Sequence, residues 1–381
     1  MADFDSMEIQ RPRLARTYLQ LLDAQPGRPL ALFARRRVGK TFFLDRDLTL
    51  AAKQAGWVPV YADVWLHKTA PLDAINHALE EALDDATVPA GAVGKAAKTP
   101  VKKLGGFGAS IEFGDEPKRR ALPMQAELRF DALISRLAAQ TGMRVLLMLD
   151  EIQALADVPN GEAILATLRA VLQKRKREAA AVFTGSSQDA LALMVVASGG
   201  PLYQFAQLMD FPVLDDSYLV LLANHFARVH KGKKLNLDDL RRVFAHIGYK
   251  PALMKDLVKS MSAEGITDVD LALKHFAADE RQVAGWRALL AAMSPLEKTL
   301  LGLIAQGKPP LGKETLAALP PNDGTNPTIA KVRVAIERLR RTGMLSKSAH
   351  GGYAIEDSLF EDYVKTLPLG KSRTHERQRS K

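Results

Sequence analysis

The chain has 381 residues, of which 47% are hydrophobic and 25% charged, a composition typical of a globular protein with two or three domains. It contains no cysteine, which excludes disulfides, thiolate metal sites and cysteine nucleophiles. The formal net charge of +10 favours polyanionic partners and says nothing about the fold.

Strands and helices are predicted to alternate over the first half of the chain. Apolar residues at helical spacing predict a helix in "RLARTYLQLLDA" and another over residues 39–55. Short apolar runs predict strands at "PLALFA" and "WVPVYADVW", and a helix follows in "PLDAINHALEEALDDA". Later come helix "MQAELRFDALISRLAAQTG", strand "RVLLMLDE", a helix over about 161–178, and strands "AAVFTGSS" and "LMDFPVL". This alternation indicates an α/β fold with a parallel sheet covered by helices.

Three other regions break this pattern. Residues 87–120 are rich in Gly, Ala and Lys, and we expect an exposed insertion there, with a short hairpin at "GASIEF". From residue 215 the pattern is helical, and from Ser294 three helices and a glycine-turned hairpin follow in the order of a winged helix. The predicted domains are an α/β core (1–214), a helical domain (215–290), a winged helix (291–367) and a basic, disordered tail (368–381).

The stretch "LFARRRVGKTFFL" has the spacing of a phosphate-binding loop between a strand and a helix. In such a loop, backbone N–H groups and the start of the helix point at the phosphates of a nucleotide. Gly39 lets the phosphates approach, Lys40 would reach the outer ones, and the Thr41 hydroxyl would ligate Mg²⁺. Ala34 replaces the first glycine of the usual spacing at the end of the strand, where a small side chain is tolerable.

The predicted nucleotide-binding set extends through this loop into the helix. Its members are Ala34, Arg35, Arg36, Arg37, Val38, Gly39, Lys40, Thr41 and Phe42. For the three consecutive arginines, contact with nucleotide phosphates, contact with a neighbouring subunit and plain exposure to solvent all stay open.

A second motif follows about 110 residues later, where the apolar strand "RVLLMLDE" ends in Asp150 and Glu151. A carboxylate pair at the carboxyl end of a strand lies at the same sheet edge as the loop. Asp150 can therefore hold Mg²⁺ through water, and Glu151 can act as the general base on the attacking water. The alternative is an Asp-Glu pair that only caps the next helix. In "VFTGSS", Thr184, Ser186 and Ser187 end another strand, where they could sense the γ-phosphate.

With these motifs in this order, the sequence resembles the archaeal-type ATPase branch of the P-loop superfamily, related to AAA+ and STAND ATPases. The pieces that match are "ARRRVGKTFFL", "VPVYADVW", "VLLMLDEIQAL", "VFTGSS", "GPLYQFAQLMDFPVL", "IGYKPALMKDLV" and the winged-helix segment. The resemblance implies an αβα core, a small lid and a winged helix, with ATP between core and lid. It implies the following roles: Lys40 on phosphate, Thr41 and Asp150 on magnesium, Glu151 on water activation, and Ser186 or Ser187 as first sensor.

Three positions depart from the family pattern. Many relatives carry an arginine between the sensor strand and the closing strand, where this chain reads "PLYQFAQ", so an arginine finger there is in doubt. The turn at residues 248–251 is followed by Ala252 where relatives often carry arginine; Lys250 or Lys255 could substitute, without the bidentate geometry of a guanidinium. Ala34 is the third departure. Slow hydrolysis, or a switch dominated by binding, is the expectation that follows.

The helix "TIAKVRVAIERLRRTG" would be the recognition helix of the winged helix. Its apolar residues Ile329, Val332, Ile336 and Leu339 are predicted to form one buried stripe. The predicted DNA contacts are Lys331, Arg333, Arg338, Arg340, Arg341 and Lys347, with His350 also on the wing. The alternative is that this domain packs only against protein, as many winged helices attached to such ATPases do.

The main hypothesis from the sequence is an ATP- and Mg²⁺-dependent ATPase whose nucleotide state controls contact of the winged helix with double-stranded DNA or a protein partner. One alternative is a DNA-binding regulator with a vestigial nucleotide site. Another is an interaction scaffold in a defence or signalling complex, with a protein partner or a second copy of itself. The N-terminus lacks the apolar segment of a signal peptide and the apolar runs are short, so we expect a cytoplasmic protein with no membrane partner.

Overall fold

The computed structural model describes residues 7–87, 121–185, 194–195, 200–320, 327–347 and 352–368. The chain divides into two compact units. The sheet unit comprises Gln10–Ala34 and Lys40–Phe211, and the helical unit comprises Met1–Ile9, Arg35–Gly39 and Pro212–Lys381. The predictions for the exposed insertion after residue 87, with its hairpin at "GASIEF", and for Ser186, Ser187, His350 and residues 369–381 lie outside the described residues.

The sheet unit follows the predicted alternation of strands and helices. Its elements are α1 (Pro12–Ala24), β1 (Leu30–Phe33), α2 (Lys40–Phe42), a π-helical segment (Phe43–Leu48), α3 (Thr49–Gln54), β2 (Trp57–Asp63), α4 (Pro71–Thr87), α5 (Ala126–Thr141), β3 (Arg144–Asp150), a 3₁₀ helix (Ile152–Asp157), α6 (Gly161–Lys174), β4 (Ala179–Gly185) and β5 (Gln207–Asp210). The helix predicted over residues 39–55 is thus interrupted by π-helical geometry, within which Phe43 is buried between the rings of Tyr18 and Phe211.

The five strands form one parallel sheet in the order β2–β3–β4–β1–β5. The apolar run of β3 from Val145 to Leu149 is fully buried, and α5 buries Phe130, Leu133, Ile134 and Leu137 in the same core. This arrangement confirms the predicted αβα core. β5 ends at Asp210, earlier than predicted, because Pro212 lacks the N–H group that a sheet ladder needs.

The helical unit is built from short helices and one hairpin. Its elements are α7 (Asp216–Val229), α8 (Leu237–His246), α9 (Pro251–Glu264), α10 (Val269–Ala277), α11 (Glu280–Ala291), α12 (Pro295–Ala305), α13 (Lys313–Ala318), α14 (Ile329–Arg341), β6 (Leu345–Lys347), β7 (Tyr353–Ile355) and α15 (Ser358–Thr366). Side-chain caps begin many of these helices and explain why the chain turns into a helix there: Asp215, Asn236, Asp268, Asp279, Ser294, Thr328 and Asp357.

Helices α12, α13 and α14 followed by the antiparallel β6–β7 hairpin confirm the predicted winged helix. One continuous apolar core joins the helices on both sides of residue 290. The predicted boundaries at residues 214 and 290 therefore stay predictions. The helices of the described ranges include none long and apolar enough to cross a lipid bilayer.

The predicted buried stripe of α14 is wrong in one member. Val332, Ile336 and Leu339 are buried, but Ile329 is 50% exposed, and Ala335 completes the buried face. Ile329 is the first residue of the helix, directly after the Thr328 cap. The apolar spacing continues to this position, but burial begins only at Val332.

Helices α5 and α6 of the sheet unit are joined by a bidentate ion pair. The Arg175 guanidinium donates from Nε to Asp131 Oδ1 at 2.8 Å and from Nη2 to Asp131 Oδ2 at 3.1 Å. Both side chains are about four-fifths buried, with 19% and 20% exposure. Arg175 also ends α6, which stops at Lys174 and not, as predicted, near residue 178.

We expect Asp131→Asn to lower the free energy of unfolding by about 1–2 kcal/mol at pH 7, because Arg175 loses a charged partner. The hydrogen bonds from Arg175 hold the pKa of Asp131 below its usual value of 3.8. The stabilisation is therefore present above that pH and disappears as the pH falls through the lowered value. Urea unfolding between pH 3 and 7 checks this. Asp23→Asn, which removes a carboxylate that is 62% exposed beside Arg144, is the control and should cost under about 0.5 kcal/mol.

Candidate nucleotide-binding site

The predicted phosphate-binding loop connects β1 to α2, as its sequence requires. Gly39 has a φ of +94°, in the left-handed region that favours glycine, and a Cβ built on it would meet no atom within 4 Å. The Lys40 side chain is buried, and its Nζ donates to the Ala34 carbonyl oxygen at 2.7 Å. The Lys40 side chain therefore turns back toward the end of β1.

The three consecutive arginines of the loop are exposed, while Val38 beside them is buried. Arg37 has a φ of +64°, an uncommon conformation for a residue with a side chain. Within the helical unit, the Arg36 guanidinium lies so close to Gly343 that a side chain at Gly343 would collide with it. Among the environments left open for the arginines, the structure thus gives Arg36 an intramolecular contact.

The Asp150 carboxylate is the centre of the polar contacts at the carboxyl end of the sheet. It is 3% exposed. Its Oδ2 accepts hydrogen bonds from the Thr41 hydroxyl at 2.6 Å and from the Tyr61 hydroxyl at 3.2 Å. Its Oδ1 accepts from the Glu151 backbone N–H at 3.0 Å and from the Thr184 hydroxyl. Four donors from four parts of the sheet unit therefore fix one carboxylate.

Strand register explains this convergence. Asp63 pairs with Asp150 and Leu149 pairs with Phe183, so β2 and β4 end beside Asp150 on its two sides. Side chains alternate between the faces of a sheet, so Tyr61 lies on the same face as Asp150, one diagonal step away. Burial and the negative charge of Asp150 raise the pKa of Tyr61, which keeps its hydroxyl protonated as a donor.

Glu151, the predicted general base, follows Asp150 in a left-handed conformation with a φ of +57°. Its carboxylate accepts a hydrogen bond from the Gln153 carboxamide, which is buried. The chain therefore turns away from the direction of β3 at Glu151, and the hydrogen bond from Gln153 holds the Glu151 carboxylate in place. Glu151 stands at the N-cap position of the following 3₁₀ helix, but its side chain makes no capping hydrogen bond there.

The structure brings Lys40, Thr41, Asp150, Glu151 and Thr184 to one end of the sheet unit, and Phe42 is partly buried beside them in α2. Sequence reasoning missed Tyr61 and Gln153. The available signal for Tyr61 was its place two residues before the end of β2, on the face of Asp63. For Gln153 it was a carboxamide two residues after Glu151.

Lys250, one of the two lysines that could replace a family arginine, is buried and makes a hydrogen bond within its own unit. Lys250 is 4% exposed, and its Nζ donates to the Glu356 carbonyl oxygen at 3.2 Å within the helical unit. Lys255 lies one turn along α9 and is partly exposed.

The predicted DNA contacts lie together on α14 and β6 of the helical unit. Lys331, Arg333, Arg338 and Arg341 are exposed, and Arg340 is partly exposed. Three of them have acidic neighbours: Arg338 approaches Glu297 at 3.4 Å, and Arg340 and Arg341 approach Glu337 at 3.0 and 3.6 Å.

These residues fit a magnesium–nucleotide complex. Mg²⁺ prefers oxygen ligands and takes several from phosphate and water, so it needs few from protein. The Thr41 hydroxyl and the Asp150 carboxylate are hard oxygen donors already within 2.6 Å of each other.

Comparison with known proteins places the fold. The structure is similar to the Walker-type ATPase PABY2304 of Pyrococcus abyssi, with a TM-score of 0.58 and 15% identity, over 94% of this chain and 97% of that one. It is also similar to the ORC2 protein of Aeropyrum pernix in its ADPNP–ADP complexes, with a TM-score of 0.51 and 17% identity, over 92% and 90% of the two chains. The chain has the fold of the archaeal P-loop ATPases. The resemblance drawn from the motifs is thereby confirmed at the level of the fold. No family model and no curated protein matches the sequence.

We expect Thr184→Val to lower the free energy of unfolding by about 1–3 kcal/mol, because a buried carboxylate oxygen loses a donor that water cannot replace. Thr184 is fully buried and its hydroxyl bonds Asp150. Chemical denaturation measures the change. Thr141→Val, which removes a half-buried hydroxyl that donates to the Leu137 carbonyl and accepts from the Met143 N–H at the end of α5, is the control. Equal losses for the two variants would contradict the role given to Thr184.

Proposed function

We propose that the protein is a member of the archaeal-type ATPase family that binds ATP with Mg²⁺ and hydrolyses it slowly. The observation that supports this best is the 2.6 Å hydrogen bond between the Thr41 hydroxyl and Asp150 Oδ2, which joins the loop to the acidic strand. The two solved relatives are, by their names, a Walker-type ATPase and a protein bound to ADPNP and ADP. Their fold makes the same use of this sheet edge reasonable here.

Each residue of the site has its own role in binding or hydrolysing ATP. Lys40 gives up the Ala34 carbonyl and donates to the outer phosphates, whose negative charge is the better acceptor. Thr41 and Asp150 would hold Mg²⁺, which neutralises phosphate charge when bound. Glu151 accepts a proton from the attacking water, with Gln153 fixing its carboxylate. Ser186 remains a proposed γ-phosphate sensor.

Slow turnover follows from two places in the sequence where relatives often carry arginine and this chain does not. The segment "PLYQFAQ" carries no arginine, and Ala252 stands where relatives often have one. An arginine on the transferring phosphoryl group accelerates hydrolysis by about 10³–10⁵-fold. Lys250, engaged with Glu356, offers no bidentate replacement.

Two substitutions separate binding from chemistry. Lys40→Ala should weaken ATP binding by about tenfold or more, since a charged hydrogen bond to phosphate is lost. Glu151→Gln should leave ATP binding intact and lower kcat by about 10²–10⁴-fold. Isothermal titration and phosphate release measure the two effects. Lys53→Ala in α3 and Glu162→Gln in α6, both exposed, are the controls. If the wild-type protein has no ATP affinity, the nucleotide site is vestigial.

A second function, contact with double-stranded DNA, is favoured by the exposed face of α14. That helix carries five basic residues and one glutamate. Its buried face is apolar, so the basic residues line the outer side, where DNA phosphates could approach. A protein partner or a second copy of the chain is the alternative occupant of this face. In either case, we propose that nucleotide state controls the contact.

Charge reversal tests the DNA contact. Lys331→Glu with Arg333→Glu should weaken duplex binding by about tenfold or more at low salt. The slope of log affinity against log salt concentration should also become less steep, as expected for the loss of about two phosphate contacts. Lys233→Glu with Lys234→Glu changes the net charge equally, at an exposed turn of the same unit, and should have a small effect. Fluorescence anisotropy at several salt concentrations measures both. Equal effects of the two pairs would indicate only a general attraction, and absence of duplex binding would favour a protein partner.

A further inference from the structure

Tyr61 lies in the strand piece "VPVYADVW" and the sequence assigns it no role, yet its hydroxyl shares Asp150 Oδ2 with the Thr41 hydroxyl. The two donors differ in how they are held. Thr41 begins a helix directly after the loop that would receive phosphate, so its environment changes with the ligand. Tyr61 lies in the middle of a strand.

That strand gives the Tyr61 hydroxyl a fixed position. β2 pairs with β3 in parallel along all of its residues, from Trp57 opposite Arg144 to Asp63 opposite Asp150. Val60 and Ala62, on either side of Tyr61, are buried. The Val64 N–H also donates to the Asp150 carbonyl oxygen at 3.2 Å, which extends the pairing past the tyrosine. The phenol and the carboxylate are therefore parts of one rigid sheet.

A carboxylate that holds a metal ion through one oxygen must keep a fixed orientation, because rotation about its terminal torsion moves that oxygen away. Thr184 and the Glu151 N–H fix Oδ1. On Oδ2, Tyr61 is the donor that belongs to the sheet and does not depend on the loop. Groups that orient a metal ligand through a hydrogen bond typically matter for metal affinity.

We propose that Tyr61 is a positioning residue for the divalent cation: its hydroxyl fixes Asp150 Oδ2 in the orientation in which Asp150 and Thr41 together hold Mg²⁺. The assignment rests on the proposed function of the same site. Tyr61 touches the carboxylate and has no part in the reaction itself. Its hydroxyl contributes to the increase in ATP affinity that Mg²⁺ causes.

The test is Tyr61→Phe, which removes one oxygen atom and keeps the ring. ATP affinity is measured by titration calorimetry in EDTA and in MgCl₂, without reliance on turnover. Removing one hydrogen bond to a charged group should reduce the enhancement of ATP affinity by Mg²⁺ about tenfold. Affinity in EDTA should change by less than about twofold, since the hydroxyl does not contact the nucleotide in this assignment.

Tyr18→Phe is the matched control. Tyr18 is a buried tyrosine of the same unit whose hydroxyl donates to the Asp210 carbonyl oxygen at 3.4 Å, and it loses the same atom. Mg²⁺ should increase the ATP affinity of the Tyr18→Phe variant by the same factor as that of the wild type. In an Asp150→Asn background, Tyr61→Phe should add nothing, because two groups that act through one contact are not additive. Thermal unfolding of each variant verifies the fold.

The outcomes are distinct. An unchanged enhancement in Tyr61→Phe overturns the assignment, as does an equal loss in Tyr18→Phe, which would mark a structural effect. A larger enhancement also overturns it, since the phenol would then compete with the metal for Oδ2. Wild-type protein that binds no ATP, or binds it equally well with and without Mg²⁺, overturns the proposed function itself and this assignment with it.

Discussion

Burying a carboxylate raises the free energy of the folded state unless hydrogen-bond donors surround it. The Asp150 carboxylate is 3% exposed, and the arrangement of the sheet unit depends on it. The parallel sheet supplies those donors by ending β2 and β4 beside β3 and starting α2 above it. Thr41, Tyr61 and Thr184 are distant from Asp150 in sequence, by 109, 89 and 34 residues. The fold thus provides hydrogen-bond donors for the Asp150 carboxylate, and the carboxylate in turn connects α2 to β2 and β4.

This dependence explains which parts of the site were predictable. Thr41 and Asp150 lie in motifs with fixed spacing, and Thr184 ends an apolar strand, so each could be placed at the carboxyl edge of a sheet. Tyr61 could be placed near the same edge but not beside Asp150, because the alternation of strands and helices does not give strand order. Only the knowledge that β2 pairs with β3, in the register of Asp63 opposite Asp150, puts its hydroxyl on the carboxylate.

The fold itself was largely predictable, since helix and strand periods and side-chain caps are local features. The errors come from non-local packing. Ile329 continues the apolar spacing of α14, but burial depends on what lies opposite, and along this helix it begins at Val332. The grouping of Arg35–Gly39 with the helical unit, and the contact of Arg36 with Gly343, likewise have no local signal.

The polar groups of the site share a property that bears on how ATP would bind. Lys40 donates to the Ala34 carbonyl, Thr41 to Asp150, and Gln153 to Glu151. Phosphates would therefore exchange hydrogen bonds within the chain for stronger, charge-assisted ones, and only the difference contributes to affinity. Catalysis gains nothing from such an exchange unless further positive charge develops contacts in the transition state. On the proposed function, the lack of arginine in "PLYQFAQ" and the alanine at position 252 therefore favour a site that holds a nucleotide over one that cleaves it quickly.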